Sequence, residues 1–310
     1  MTKPFRFGVQ ISNTESGSAW RDKARKLEDL GYSTLFMPDH FGEELAPLPA
    51  IAMAAAHTTT LKIGALVFDN DYKHPAILAK ECATIDRLSD GRLELGIGAG
   101  WMKTDYDALG LQYDPPAVRV DRFEEALHII KQCFTGEKFT YHGEHYRISD
   151  YASYPKPAQA HLPILVGGGG KRVLSIAARE ADIIGVNPSL PTSERREEAR
   201  RDGVAAAVDK KFALIREAAG ERYDDLIFHG WLQAVVITDD ARAAAADIGA
   251  ALGGLDPDDV LESPFVLIGS VTEIAARLHE RRERWGYSYY TVQQPAAHDF
   301  AAVLAALGRS

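Results

Sequence analysis

Leu61-Lys62-Ile63-Gly64-Ala65-Leu66-Val67-Phe68 is an apolar run broken by one charge. A helical pattern follows near 75–89, and Arg92-Leu93-Glu94-Leu95-Gly96-Ile97-Gly98 then returns to strand-like sequence. Strand, crossover helix and strand in that order make a βαβ unit, which places the two strands parallel. The same unit recurs upstream. Phe5-Arg6-Phe7-Gly8-Val9-Gln10-Ile11 precedes a charged helical pattern over 18–30 that Gly31 ends, and Ser33-Thr34-Leu35-Phe36-Met37 precedes an Ala-rich helix near 47–58. The strand starts at 5, 33, 61 and 92 are spaced by 28 to 31 residues, the length of one strand, one helix and two loops.

Downstream the rhythm loosens. A helix is predicted near 117–135, then an excursion over 136–162 rich in Tyr, His, Gly and Pro that reads as a loop or hairpin. Pro163-Ile164-Leu165-Val166 is the fifth predicted strand and Ala181–Val186 the sixth. A charged helix follows over 193–219, a seventh strand over 227–237, then an Ala-rich helix. Ser270-Val271-Thr272-Glu273 is a capping box for a helix that runs to about Trp285 and stops at Gly286. Tyr289-Tyr290-Thr291-Val292 is the eighth strand, and a helix over 298–308 closes the chain. Eight alternating units predict an α/β fold of the (β/α)8 TIM-barrel type with an excursion after helix four, 1–310 forming one domain. A doubly wound sheet would carry a dinucleotide glycine fingerprint at its first turn, and Gln10-Ile11-Ser12-Asn13 is not one.

Composition narrows the function. The chain has 310 residues, 46% hydrophobic and 25% charged, which is the make-up of a globular protein. Lys+Arg 35 against Asp+Glu 44 gives a net charge of −9, which disfavours nucleic acid and anionic membrane as partners. No apolar run reaches bilayer length and Met1–Arg6 lacks a signal core, so a cytoplasmic protein is expected. Cys82 and Cys133 have no Cys neighbour and read as buried core thiols in a reducing compartment.

In a barrel the chemistry sits at the carboxyl ends of the strands. Those ends supply Asp39-His40, Val67-Phe68-Asp69-Asn70, Gly98-Ala99-Gly100-Trp101, Gly167-Gly168-Gly169-Gly170-Lys171-Arg172, Asn187-Pro188 and Gln293-Gln294. The glycine run carries the clearest chemistry. Free amides without Cβ atoms, a helix N-terminus and two cations suit a phosphate, although the spacing is not that of a Walker A loop. His40 reads either as an acid/base near neutral pH or as a loop histidine satisfied by Asp39. Gly98–Trp101 reads either as a bed for a flat ring or as a tight turn with a packed Trp. His142-Gly143-Glu144-His145 reads as a hairpin turn rather than a metal site, and no metal site is expected. Arg119 and Arg122 read as helix-face charges or caps.

Pro38-Asp39-His40-Phe41, the block from His74-Pro75 through Asp86-Arg87-Leu88-Ser89-Asp90-Gly91-Arg92 to Gly98-Ala99-Gly100-Trp101, Pro163–Gly169 and Ile268-Gly269-Ser270 together resemble the bacterial-luciferase-like oxidoreductases. The resemblance covers almost the whole chain and is strongest over 33–101. It implies a (β/α)8 barrel that binds coenzyme F420 or FMN, acts on a small organic substrate and often forms a homodimer. It places a non-proline cis peptide and a ring-backing bulge among Leu66, Val67 and Phe68, with Gly98 and Ala99 beside them. It puts phosphate contacts on Gly167, Gly168, Gly169, Gly170 and Lys171, with Asn187 close by, a coenzyme contact on Asp39 and a catalytic role on His40. The family's sugar-phosphate dehydrogenases carry a Glu proton donor after the strand-four glycines. Trp101 stands there, which argues against sugar-phosphate oxidation and leaves the acid unassigned. Hydride transfer with F420 is the leading reading. An FMN-dependent monooxygenase and a non-catalytic flavin binder are the alternatives. A metal-dependent hydrolase is disfavoured, since no H-x-H follows strand one.

Overall fold

The computed structural model describes residues 3–189 and 201–308. In chain order the strands are β1 (Arg6–Gln10), β2 (Thr34–Met37), β3 (Lys62–Ala65), β4 (Phe68–Asp69), β5 (Leu93–Gly98), β6 (Lys138–His142), β7 (Arg147–Ala152), β8 (Ile164–Gly168), β9 (Ile183–Val186), β10 (Ile227–Trp231), β11 (Ala234–Ile237), β12 (Val266–Gly269) and β13 (Tyr287–Gln293). The helices are α1 (Gly17–Asp29), α2 (Pro47–Ala56), α3 (Pro75–Leu88), α4 (Lys103–Leu109), α5 (Pro116–Thr135), α6 (Lys171–Glu180), α7 (Ala205–Ala219), α8 (Ala241–Ala251), α9 (Pro257–Glu262), α10 (Val271–Trp285) and α11 (Ala297–Leu307).

Contacts divide the chain into two units. The first holds Met1–Ile11, Lys26–Ser33 and Gly168–Ser310; the second holds Ser12–Arg25 and Thr34–Gly167. Within the second, β2 pairs in parallel with β3, β3 with β5, and β5 with β8, while β4 extends the ladder beside β5. Within the first, β1 pairs with β13, β13 with β10, and β10 with β9, all parallel. Four strands and four make the eight parallel strands of the (β/α)8 barrel that the repeat predicts.

The parallel strands are buried along most of their length, as helices on the outer face and packed side chains within require. All six residues of β5 are buried. Trp20 shows how the outer layer is pinned: its ring is buried and Nε1 donates to the Ala50 carbonyl at 2.8 Å. Burying an aliphatic side chain of this core stabilises the fold by about 1.5–3 kcal/mol. Cys82 and Cys133 are buried free thiols, as the sequence suggests.

Three differences from the sequence reading stand out. The run 61–68 is not one strand: the Leu66–Val67 peptide is cis and separates β3 from β4, at the place the family resemblance implies. The predicted strand over 227–237 splits at Leu232, because β11 leaves the barrel and pairs in parallel with β12. The helices α4 and α9 are short and went unread, since six or seven residues carry too little periodicity. Of the predicted helix over 193–219, α7 is present and the 193–200 portion lies outside the described residues. The excursion is the β6–β7 hairpin, antiparallel. At its tip the Glu125 carboxylate accepts from the amides of Glu144, His145 and Tyr146, so the paired histidines flank an anchored turn.

Candidate active site

In the second unit, β2 runs out into Asp39 and His40. Asp39 Oδ2 accepts from the Asp69 amide at 3.0 Å, which ties the β2 end to the end of β4. His40 Nδ1 lies 2.8 Å from Asp105 Oδ2, in the first turn of α4. The Tyr72 hydroxyl reaches the same carboxylate oxygen at 3.3 Å. Trp101 meets the His40 ring edge-on, 5.7 Å between centroids, and Phe41 meets Tyr72 the same way at 5.0 Å.

A second carboxylate group adjoins this one. The Tyr106 hydroxyl stands 3.0 and 3.1 Å from the two oxygens of Asp69 and 2.9 Å from Asp71 Oδ2, and its single proton serves one of them at a time. Arg122 binds Asp71 through Nε at 2.8 Å and Nη2 at 3.0 Å, and Asp114 through Nη1 at 2.8 Å. Arg119 donates to the Ala99 and Gly100 carbonyls and stacks 4.3 Å over Tyr113. Neither arginine is a plain helix-face charge: Arg119 holds the loop after β5, and Arg122 neutralises two carboxylates. Gly100 has φ +76°, and a Cβ there would collide with the Tyr106 hydroxyl, so the close phenol–carboxylate contact needs glycine at this position.

Burial sets the protonation of this cluster. It raises Asp39 and Asp69 to about 6, against an ordinary value of 3.8. Burial, with the neighbouring carboxylates, lifts Tyr72 and Tyr106 well above the usual phenol range. Burial opposes the charge of Arg122, yet Asp71 and Asp114 hold its value above normal. Beside the cluster lies a cavity of about 370 Å³ lined by Asn70, Asp71, His74, Tyr106, Arg122 and Tyr146 among others.

The expected coenzyme residues of this unit divide by exposure. Leu66, Val67 and Ala99 are partly open, whereas Phe68 and Gly98 are buried. A Cβ on Gly98 would stand 2.9 Å from Val67 Cγ2, so the glycine lets the cis bend lie against β5. Gly167 ends the unit's part of β8.

In the first unit, Gly168, Gly169, Gly170 and Lys171 form the turn into α6, with Gly170 as N-cap and no side chain capping the first amides. A Cβ on Gly169 would lie 2.5 Å from the Asn187 carbonyl and 2.6 Å from the Ser189 amide, whereas one on Gly170 would meet nothing within 4 Å. The Asn187 amide donates to the Gly168 carbonyl at 3.0 Å, and its buried Oδ1 has no partner among the described residues. Lys211 donates to the Gly169 carbonyl at 2.6 Å and to Asp202 at 2.7 Å.

Of the residues gathered here, the sequence points to Asp39 and His40 but not to Asp105 or Lys211. Asp105 and Tyr106 lie in the short helix α4 that follows β5. Lys211 left no local signal, because its role arises from packing α7 against the loop after β8.

Three comparisons bear on this arrangement. The family model described as luciferase-like monooxygenase matches residues 1–289. The F420-dependent glucose-6-phosphate dehydrogenase of Nakamurella multipartita is 32% identical over 236 residues, 72% of this chain and 65% of that protein, so the chain spans just under two thirds of that relative. The FMNH2-dependent dimethylsulfone monooxygenase of Pseudomonas putida is 28% identical over 206 residues, 59% of this chain and 56% of that one. The F420-dependent tetrahydromethanopterin reductase of Methanopyrus kandleri superposes with a TM-score of 0.76 at 19% identity, covering 97% of each chain, and shares the fold. No helix among the described residues is long and apolar enough to cross a membrane.

Proposed function

The chain belongs to the luciferase-like monooxygenase family, and we propose that within it this protein is an F420-dependent oxidoreductase acting on a small organic substrate. The observation that carries the reading is the strand-end cluster of the second unit. Asp39 fastened to the Asp69 amide and His40 paired with Asp105 stand at the ends of β2, β4 and β5. The similarity to an F420-dependent dehydrogenase supports it.

Each unit, taken by itself, holds residues that suit a part of such a coenzyme. In the first unit, the start of α6 at Gly170 and Lys171, where no side chain caps the helix, and Asn187 Oδ1, which has no partner among the described residues, offer donors and an acceptor to a phosphate and its sugar-like chain. In the second, Asp39, Leu66, Val67 and Ala99 would bed a flat ring, with Phe68 and Gly98 supporting them from within the core. When bound, the deazaflavin supplies a carbon that gives or takes a hydride. His40 holds or moves the proton at the substrate oxygen or nitrogen. Burial keeps Asp39 protonated further toward neutrality than an ordinary carboxyl, so it offers a hydrogen-bond donor in mildly acidic solution.

The second reading is an FMN-dependent monooxygenase, favoured by the relative that oxidises dimethylsulfone with reduced FMN. Oxygen consumption separates the two. With reduced F420 the first reading expects substrate turnover without oxygen uptake. Oxygen uptake with reduced FMN that is matched by oxygenated product would establish the second. The proposal includes a single-domain chain, a cytoplasmic location and a homodimer, the last checked by sedimentation.

A further inference from the structure

His40 is held at one ring nitrogen. Nδ1 lies 2.8 Å from Asp105 Oδ2, and the Asp105 side chain is only 9% exposed, so water competes poorly for that bond. An ionised carboxylate accepts and does not donate, so the hydrogen between them belongs to Nδ1 whenever the ring is neutral. Nε2 is then left with its lone pair. The neutral ring of free histidine prefers the opposite arrangement, with its hydrogen on Nε2. Two contacts keep the pair in place. The Tyr72 hydroxyl donates to the same Asp105 oxygen at 3.3 Å, and Trp101 stands edge-on to the His40 ring at 90°.

We propose that Asp105 is a positioning residue that locks His40 in the Nδ1–H tautomer, with Tyr72 steadying the carboxylate. Resting on the oxidoreductase reading, it follows that Nε2 is the nitrogen that takes or returns the substrate proton. The logic is that of any buried carboxylate behind a histidine: it selects which nitrogen is basic and stabilises the ring once that nitrogen is protonated. It also supplies the acid left open by Trp101, since a protonated His40 can return its proton.

The competing role for Asp105 is structural. An acidic residue in the first turn of α4 stabilises the helix through its dipole, without reference to His40. Two-bond ¹H–¹⁵N correlation spectra of the histidine-labelled wild-type chain separate the roles, taken near pH 8, above the ordinary histidine value of about 6.5. His40 is assigned by the signal lost in His40→Gln. The expected result is the Nδ1–H pattern for His40 in the wild type, the Nε2–H pattern in Asp105→Asn, and recovery of Nδ1–H in Asp105→Glu. Turnover in Asp105→Asn falls about a hundredfold or more, with F420 affinity changed less than about threefold. Tyr72→Phe keeps the tautomer and loses less than about tenfold. An Nε2–H ring in the wild type overturns the proposal without reference to any variant. So does an Asp105→Asn chain whose tautomer and turnover match the wild type. The spectra need no coenzyme, so the two readings fail separately: a chain with Nδ1–H that binds neither F420 nor FMN keeps the lock and loses the oxidoreductase.

Discussion

The strand-end cluster of the second unit and the glycine turn of the first are built on opposite principles. The cluster is made of side chains that hold one another: His40 to Asp105, Tyr106 to Asp69, and Arg122 to Asp71 and Asp114. The turn is made of side chains left out, with Gly169 shaped so tightly that a Cβ would strike the Asn187–Ser189 backbone. A network of charges can be broken one member at a time, each loss leaving a buried partner exposed to the cost of desolvation. A glycine turn fails only where the missing Cβ has no room. Damage to the cluster should therefore reach catalysis and stability, whereas damage to the turn should reach phosphate affinity.

The largest test of that contrast is His40→Ala. Single-turnover reduction or oxidation of F420 is expected to slow about 10²- to 10⁴-fold while coenzyme affinity holds. An unchanged rate would remove His40 from the chemistry. Next comes Arg122→Gln, which strips the charged donor from Asp71 and Asp114. Urea unfolding should show a loss of about 1.5–3 kcal/mol, and a loss within about 0.5 kcal/mol would mean the network adds little to the fold. In the turn, Gly169→Ala is expected to weaken binding of a phosphorylated coenzyme about tenfold, because the clash is with backbone and cannot be relieved by a rotamer.

Acidity gives a gentler probe of the cluster. Asp39 and Asp69 titrate at about 6 in the folded chain against 3.8 for the ordinary group, so the folded state binds more protons between those values. Their contribution to stability is full below about 4 and is lost as pH rises through 6, by no more than about 1.4 kcal/mol per pH unit for each group. Asp69→Asn should flatten that slope in thermal melts taken from pH 4 to 6.5. A steeper slope in the variant would contradict the assignment. Gly170→Ala is the control with the smallest effect on the fold: open space around its Cβ predicts stability near wild type.

The same contrast explains what could be read from the sequence. The barrel was legible because a strand–helix repeat of nearly constant length is a local pattern, and the glycine turn because its chemistry lies in consecutive residues. The Asp105–His40 pair was not legible, since 65 residues separate the partners and α4 is too short to announce itself. Lys211 reaches the Gly169 carbonyl from 42 residues away and escaped for the same reason. Strand seven was overextended because β10 and β11 are both apolar and only a bend at Leu232 divides them between two sheets. Arg119 and Arg122 lie on a helix face as the spacing says, but their partners are in loops that spacing does not place.

Titrating the chain with oxidised F420 and with FMN in parallel, followed by coenzyme fluorescence, tests the central claim most directly. The account predicts saturable F420 binding that is tighter than FMN binding and is weakened by Gly169→Ala. Tight FMN binding with no saturable response to F420 would contradict it.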